Sequence, residues 1–467
     1  MREFSQSEIR RSLLIALAVA VLSQTAVRDL RATEPQITES IRWGNCVFVN
    51  LSVGESVEFR GSQISLESVR GDRCDVKVDG KVVELQVARR GLPSVVGKVR
   101  IYCAVNRPVA ELTVSEAFPN VFGTLKKDAL LCLSDASENL LDADRFTFPI
   151  AREDGFQWRM SENSHMFAYL SPNRAHEGLD INMHDARGRM IHQLVAIEDG
   201  VVRWVSEGSP NEACVLLESS SSPGVFYIYQ HLFRERVAVS EGDSVVKGET
   251  LGTIWGDGRW GHLHFAVIAM DPPPDYPHRY SNVLNCFPQL YELWNDGLHL
   301  ERPQFSEGDF LFAGQYWTNG NEQHRDGYSD LLGYGWRLGD WCPAAKVETS
   351  TGSDVRSDAS AVLRKTMFQD SVKPSRNPKD DFEFEVSVGN GTYDVRVELG
   401  DIVHPTSQTV GIEFGVPRSV ILEAGAHRWV EFERVNVTDG HLTVRIGLSD
   451  EQQPAAIRRL IFTARPQ

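Results

Sequence analysis

The sequence predicts a mainly β protein built from three consecutive units. Short apolar–polar alternations recur along most of the chain. Two-residue turn signals punctuate them, among them Asp79-Gly80, Asp199-Gly200 and Asn390-Gly391. Few stretches read as helix, so a mostly antiparallel architecture follows. The expected order is a small N-terminal β-domain (33–145), an antiparallel β central domain (146–290), a linker (291–305) and a C-terminal β-sandwich (306–467). A chain of 467 residues is long enough for two to four domains and a sizeable core.

Residues 1–32 read as a signal peptide. Arg10 and Arg11 precede the apolar run Ser-Leu-Leu-Ile-Ala-Leu-Ala-Val-Ala-Val-Leu, which ends at Leu22. That run is shorter than the about 20 residues a membrane span needs. Ala26 or Ala32 precedes the expected cleavage point, and an uncleaved anchor is the competing reading. No cysteine follows before Cys46, which argues against a lipid-modified N-terminus. The expectation is export, to a periplasm or the extracellular space, with no membrane contact beyond this segment. The net charge of −16 argues against nucleic acid and against docking on anionic surfaces.

An exported chain can keep disulfides. Four of the seven cysteines, Cys46, Cys74, Cys103 and Cys132, precede the central unit. Two bridges among them are expected, with three connectivities open. Cys286 and Cys342 are the expected third pair. Cys214, within Ala213-Cys-Val-Leu-Leu217, reads as a buried free thiol.

In the first unit, Cys46-Val-Phe-Val-Asn-Leu-Ser-Val is strand-like and Gly54 marks a turn. Asp75-Val-Lys-Val and Val82-Val-Glu-Leu-Gln-Val flank the Asp79-Gly80 hairpin signal, and Val99-Arg-Ile-Tyr-Cys-Ala-Val follows. In the central unit, Val195-Ala-Ile and Val201-Val-Arg-Trp-Val read as a hairpin about Asp199-Gly200. Val225-Phe-Tyr-Ile-Tyr leads to His231, and His262-Leu-His-Phe-Ala-Val-Ile forms a late strand. In the last unit, Phe382, Phe384, Val386 and Val388 alternate with polar residues. Asn390-Gly391 is the expected type I′ turn to the return strand of Tyr393, Val395, Val397 and Leu399. The acidic stretch Asp380 to Glu385 reads as a solvated strand face.

The chemistry gathers in the central unit. His262 and His264 stand two apart on a strand, so they share a face. His176 and Asp180 stand four apart, and Gly178 between them argues for an extended segment over a helix. On that reading both share one face, while Leu179 and Ile181 point into a core. Two imidazoles and a carboxylate leave one position of a tetrahedral zinc open, the mark of a catalytic site. The remaining imidazoles suit proton transfer near neutral pH.

The motifs His176-Glu-Gly-Leu-Asp180, Tyr229-Gln-His231-Leu232 and His262-Leu-His264, in this order, resemble the lysostaphin-type (LytM-like, M23) zinc metallopeptidases. The spacers Glu198-Asp-Gly-Val-Val and Gly242-Asp-Ser-Val-Val-Lys-Gly-Glu-Thr-Leu-Gly match as well. The resemblance spans about 146–290. It implies that His176, Asp180 and His264 ligate Zn2+ and that His231 and His262 are catalytic, orienting water and stabilising the oxyanion. It implies peptide-bond hydrolysis in peptidoglycan cross-links or stem peptides. Relatives that have lost ligands act as activators of other wall hydrolases, whereas this chain keeps all five residues. One departure stands out. The family's Ser-Thr-Gly-Pro-like turn is replaced by Asp257-Gly-Arg-Trp-Gly261, which puts substrate preference in doubt.

The C-terminal segment Asn390-Gly-Thr-Tyr-Asp-Val-Arg-Val-Glu-Leu-Gly-Asp401 resembles malectin-like and galactose-binding-like β-sandwiches. That implies glycan binding, with Trp336, Trp317 and Tyr334 as stacking rings unless they are core aromatics. The leading expectation is an exported zinc endopeptidase of peptidoglycan peptides. The alternatives are a non-catalytic zinc-containing scaffold binding a glycan or partner, and a peptidase of extracellular proteins.

Overall fold

The computed structural model describes residues 40–87, 91–112, 125, 127–152, 157–159, 169–171, 174–175, 178–184, 192–207, 211–254, 262–269, 283–312, 328–337, 347–349, 361–363, 381–449 and 453–466. The expected signal segment, His176, Cys342, the Asp257–Gly261 turn and Trp317 lie outside them. The described chain is mainly β, and its paired strands run antiparallel.

Near the N-terminus the chain builds a four-stranded meander and a five-stranded sheet. The Asp79-Gly80 hairpin joins Arg73–Val78 to Lys81–Gln86, with both turn residues at positive φ (48° and 86°). The five-stranded sheet centres on Ala129–Asp135, flanked by Cys46–Leu51 and Val99–Asn106. Its apolar face is continuous with the core of the next region. One buried cluster runs from Ile41 to Leu290. A polar thread ties the two together: Trp43 Nε1 donates to the Tyr227 hydroxyl at 2.9 Å, and Tyr227 donates to the buried Glu198 carboxylate. Ser219 Oγ also donates to Glu198, at 2.6 Å, so the buried charge is well solvated by hydroxyls.

The six described cysteines are all thiols, which corrects the expected bridges. Cys46 and Cys132 meet each other and the Gln289 amide, whose Nε2 lies 3.4 and 3.8 Å from their sulfurs. Cys74 and Cys103 form the second contact pair. Burial raises the Cys103 and Cys132 thiols well above their ordinary range and pushes Cys286 up to about 12. Neutral thiols behave there as small hydrophobic groups. Cys214 is buried, as the apolar run around it suggests.

The central sheet has eight strands. Seven of them follow one path, Gln157–Arg159, Leu179–His184, Leu263–Ala269, Val225–Phe233, Glu212–Ser219, Gly200–Glu207 and Ser244–Val245, and the eighth, Val283–Leu284, pairs with Leu263–Ala269 off that path. The expected hairpin about Asp199-Gly200 is not there. Gln193–Val195 pairs instead with Thr250–Thr253, and Gly200–Glu207 pairs with Glu212–Ser219. Gly200 serves close packing: a Cβ at this position would sit 2.5 Å from the Glu218 carbonyl oxygen. The helix Phe287–Asn295 closes the core beside the sheet, ending in Asp296 and Gly297 at positive φ. Phe148, Trp158, Phe287 and Trp294 pack there as an aromatic cluster with ring centroids 5.1–6.5 Å apart.

The C-terminal region has a six-stranded and a five-stranded antiparallel sheet that share one core. The apolar positions of the alternation in 382–399 are buried as expected, but Asn390-Gly391 is not a hairpin turn. Asp381–Ser387 pairs with His441–Leu448 in one sheet, while Gly391–Leu399 pairs with Arg428–Val437 and Ala455–Ala464 in the other. The short link crosses between sheets, so each strand finds its partners far away in sequence. Trp336 and Tyr393 are core residues, and Tyr334 packs on Phe310 at 5.0 Å. Trp336 is therefore removed as a sugar-stacking residue.

The acidic strand is not a solvated face. Glu385 is 1% exposed and pairs with Arg73 at 2.5 and 2.7 Å. Arg337 lies 3.0 Å from both Asp72 and Glu383 and 3.5 Å from Glu385. The expected solvated carboxylates thus fasten this region to the N-terminal meander. Among the described residues no helix is long and apolar enough to cross a membrane.

Candidate functional site

Leu263–Ala269 is the strand on which the site is built. Leu179–His184 lies on one side of it and Val225–Phe233 on the other. The register sets Asp180 directly opposite His264, and Gln230 opposite His264 from the other side. Leu179 and Ile181 are fully buried, so alternation turns Asp180 to the opposite face. His264 Nδ1 comes within 3.0 Å of Asp180 Oδ1, and His262 Nε2 within 3.4 Å of the same oxygen.

His231 reaches this group by an irregularity. A strictly alternating strand places His231 on the face of Tyr229, which is wholly buried. Between Ala213↔Leu232 and Val215↔Tyr229 the register slips, so Val225–Phe233 carries one extra residue. His231 sits in that bulge at φ 64°. Left-handed backbone costs a non-glycine residue about 1–2 kcal/mol, though histidine tolerates it better than most. What it gains is direction, as bulges beside active sites commonly do. The His231 ring stands 4.7 Å from the His262 ring and 6.1 Å from the His264 ring.

Burial divides the four residues. The Asp180 and His264 side chains are 8% and 5% exposed, whereas those of His262 and His231 are 20% and 29% exposed. The first pair forms the floor and the second pair the water-facing rim. Gly178 keeps the floor open. A Cβ there would lie 2.5 Å from His264 Nε2 and 2.9 Å from the Phe265 carbonyl oxygen. Only glycine lets the imidazole occupy that space.

Among the described residues no group of three or more His, Cys, Asp or Glu gathers as a metal site, and Asp180 and His264 are the two candidate ligands that meet. Two ligands on tetrahedral zinc, each about 2.1 Å from the metal, lie about 3.4 Å apart. The 3.0 Å between Asp180 Oδ1 and His264 Nδ1 is close to that edge. His176, the remaining expected ligand, lies outside the described residues. Tyr229 does not reach into the site. Its hydroxyl accepts the Ile197 N–H at 2.9 Å, and burial raises its pKa far above the usual range.

One site residue escapes the motifs. Glu212, the first residue of Glu212–Ser219, places its carboxylate directly on His231 Nδ1. The two sit nineteen residues apart, and only the pairing of their strands joins them. The apolar run after Glu212 predicted burial of Cys214 but not the strand pairing that carries Glu212 to His231.

The family model for peptidase family M23 matches residues 174–275. Among solved structures, the antimicrobial peptidase lysostaphin from Staphylococcus simulans is 13% identical, with 67% of this chain and 92% of that chain covered and a TM-score of 0.24. A chain named for the glycyl-glycine endopeptidase LytM, from Ruminococcus gnavus, is 20% identical, with coverage of 33% and 63% and a TM-score of 0.24. A β-(1,4)-mannanase from Podospora anserina is 16% identical, with coverage of 35% and 28% and a TM-score of 0.20. Likenesses this weak carry no argument about activity. No curated protein matches the chain. Residues 174–275 are a peptidase family M23 domain.

Proposed function

We propose that this chain is an exported zinc endopeptidase that hydrolyses peptide bonds in peptidoglycan cross-links or stem peptides. The observation that carries this reading is the convergence of Asp180, His264, His262 and His231 at one end of a single sheet. Asp180 and His264 would hold the metal, together with His176 by resemblance. Zinc bound there supplies a Lewis acid that polarises the scissile carbonyl and makes water more acidic. His231 takes the proton of the attacking water and returns it to the leaving nitrogen. His262 donates to the carbonyl oxygen as it gains negative charge. Each imidazole step is worth about 10²–10⁴-fold in rate. Export is supported by the Arg10-Arg11 flank and the apolar run that ends at Leu22.

The test is a digest of purified peptidoglycan by the zinc-loaded chain, with mass analysis of the fragments. New amino termini within the peptide moiety support the reading, and the fragment masses name the bond. Cleavage of extracellular proteins with intact peptidoglycan selects the alternative peptidase. Zinc binding with no turnover selects the scaffold. For the C-terminal region we retain glycan binding as a proposal, tested by a glycan screen of the full chain. Trp336 takes no part in it, because it is wholly buried.

A further inference from the structure

We propose that Glu212 is a positioning residue for His231, a role that rests on the hydrolytic reading above. Glu212 belongs to none of the three histidine motifs. Its carboxylate nevertheless meets His231 Nδ1. Both side chains are partly open to water, 21% and 29% exposed, so the contact is not forced by close packing of a core. It is made by the strand pairing. Glu212 stands opposite Phe233, and the slip that follows Ala213 lifts His231 out of alternation toward it.

A carboxylate can only accept, so it selects the tautomer of His231 that carries its proton on Nδ1. Nε2 is then the nitrogen with a free lone pair. The proton His231 accepts in the reaction arrives at Nε2, and the imidazolium so formed is stabilised by the charge of Glu212. The group also fixes the ring relative to His262, 4.7 Å away. Glu212 touches no reacting atom in this scheme. It acts through His231.

The experiment uses the zinc-loaded full chain as wild type, Glu212→Gln and Glu212→Ala. Nitrogen-15 NMR of the histidine rings, with the His231 signal identified by its loss in His231→Ala, reports the tautomer without any need for turnover. The wild type is expected to show the Nδ1-protonated form and Glu212→Ala a mixture. With a cleavable peptide, kcat falls about 10–100-fold in both variants, in the range seen when a carboxylate that orients an active-site histidine is removed. KM, zinc content and melting temperature stay at wild-type values, and added formate partly restores Glu212→Ala. An unchanged tautomer, or unchanged kcat in a wild type that turns over, overturns the proposal. A wild type that cleaves nothing overturns the hydrolytic reading, while the NMR result still decides the role of Glu212.

Discussion

Asp180 and His264 face each other across neighbouring strands with Oδ1 and Nδ1 3.0 Å apart, both side chains nearly buried. On the proposed function, Asp180 and His264 bind the metal, and the more exposed His262 and His231 handle protons. Asp180→Asn and His264→Ala are therefore expected to lose bound zinc. His262→Ala should keep it while kcat falls about 10²–10⁴-fold. Elemental analysis of the purified variants, run beside a turnover assay, checks this division.

Gly178 is the second test of the same floor. Gly178→Ala puts a methyl group 2.5 Å from His264 Nε2 and against the backbone oxygen of Phe265. The imidazole has to move, so zinc affinity should drop while the chain still folds. The cost in stability is about 1–3 kcal/mol, as for other overpacked sites. Metal titration and thermal melting separate the two effects.

Glu385 fastens the C-terminal region to the N-terminal meander through Arg73 and Arg337. Glu385→Ala leaves two mostly buried guanidinium groups short of charge. It should lower the unfolding free energy by about 3–5 kcal/mol, as removal of one partner of a buried ion pair does. Urea unfolding followed by tryptophan fluorescence measures it.

Glu413 predicts a pH dependence of stability. Burial pushes its carboxyl up to about 7, against the Thr443 N–H that lowers it and with Asp439 and Glu385 that raise it further. The folded chain thus holds a proton that the unfolded chain has lost above about pH 4.3. Stability from this group is fully present below that pH and is lost as pH rises through about 7. Glutamine mimics the protonated acid and keeps the acceptor for Thr443. Between pH 5 and 8 the melting temperature of Glu413→Gln should decline less than that of the wild type.

Asp180, His231, His262 and His264 were singled out by residue type and local spacing, and the fold brings these four together, while His176 lies outside the described residues. The placement of Asp180 opposite His264 follows from alternation in two short strands. Glu212 was not legible, because its role depends on a register slip between two strands, which no local pattern encodes. The same limit explains the fold. Asp79-Gly80 forms the predicted hairpin because its neighbours in sequence are its neighbours in space. At Asp199-Gly200 and Asn390-Gly391 the flanking strands pair elsewhere, and the glycine serves packing or a crossing between sheets. The Glu383 and Glu385 charges read as solvated because their partners, Arg73 and Arg337, are supplied by remote segments.

The central claim is that one metal and the two histidines His231 and His262 cut a peptide bond. The direct measurement determines bound zinc and new amino termini released from peptidoglycan on the same preparations of wild type and His262→Ala. The account predicts zinc in both and new termini from the wild type alone. Zinc-loaded wild type that releases no new termini, or a His262→Ala variant that releases them at the wild-type rate, would contradict it.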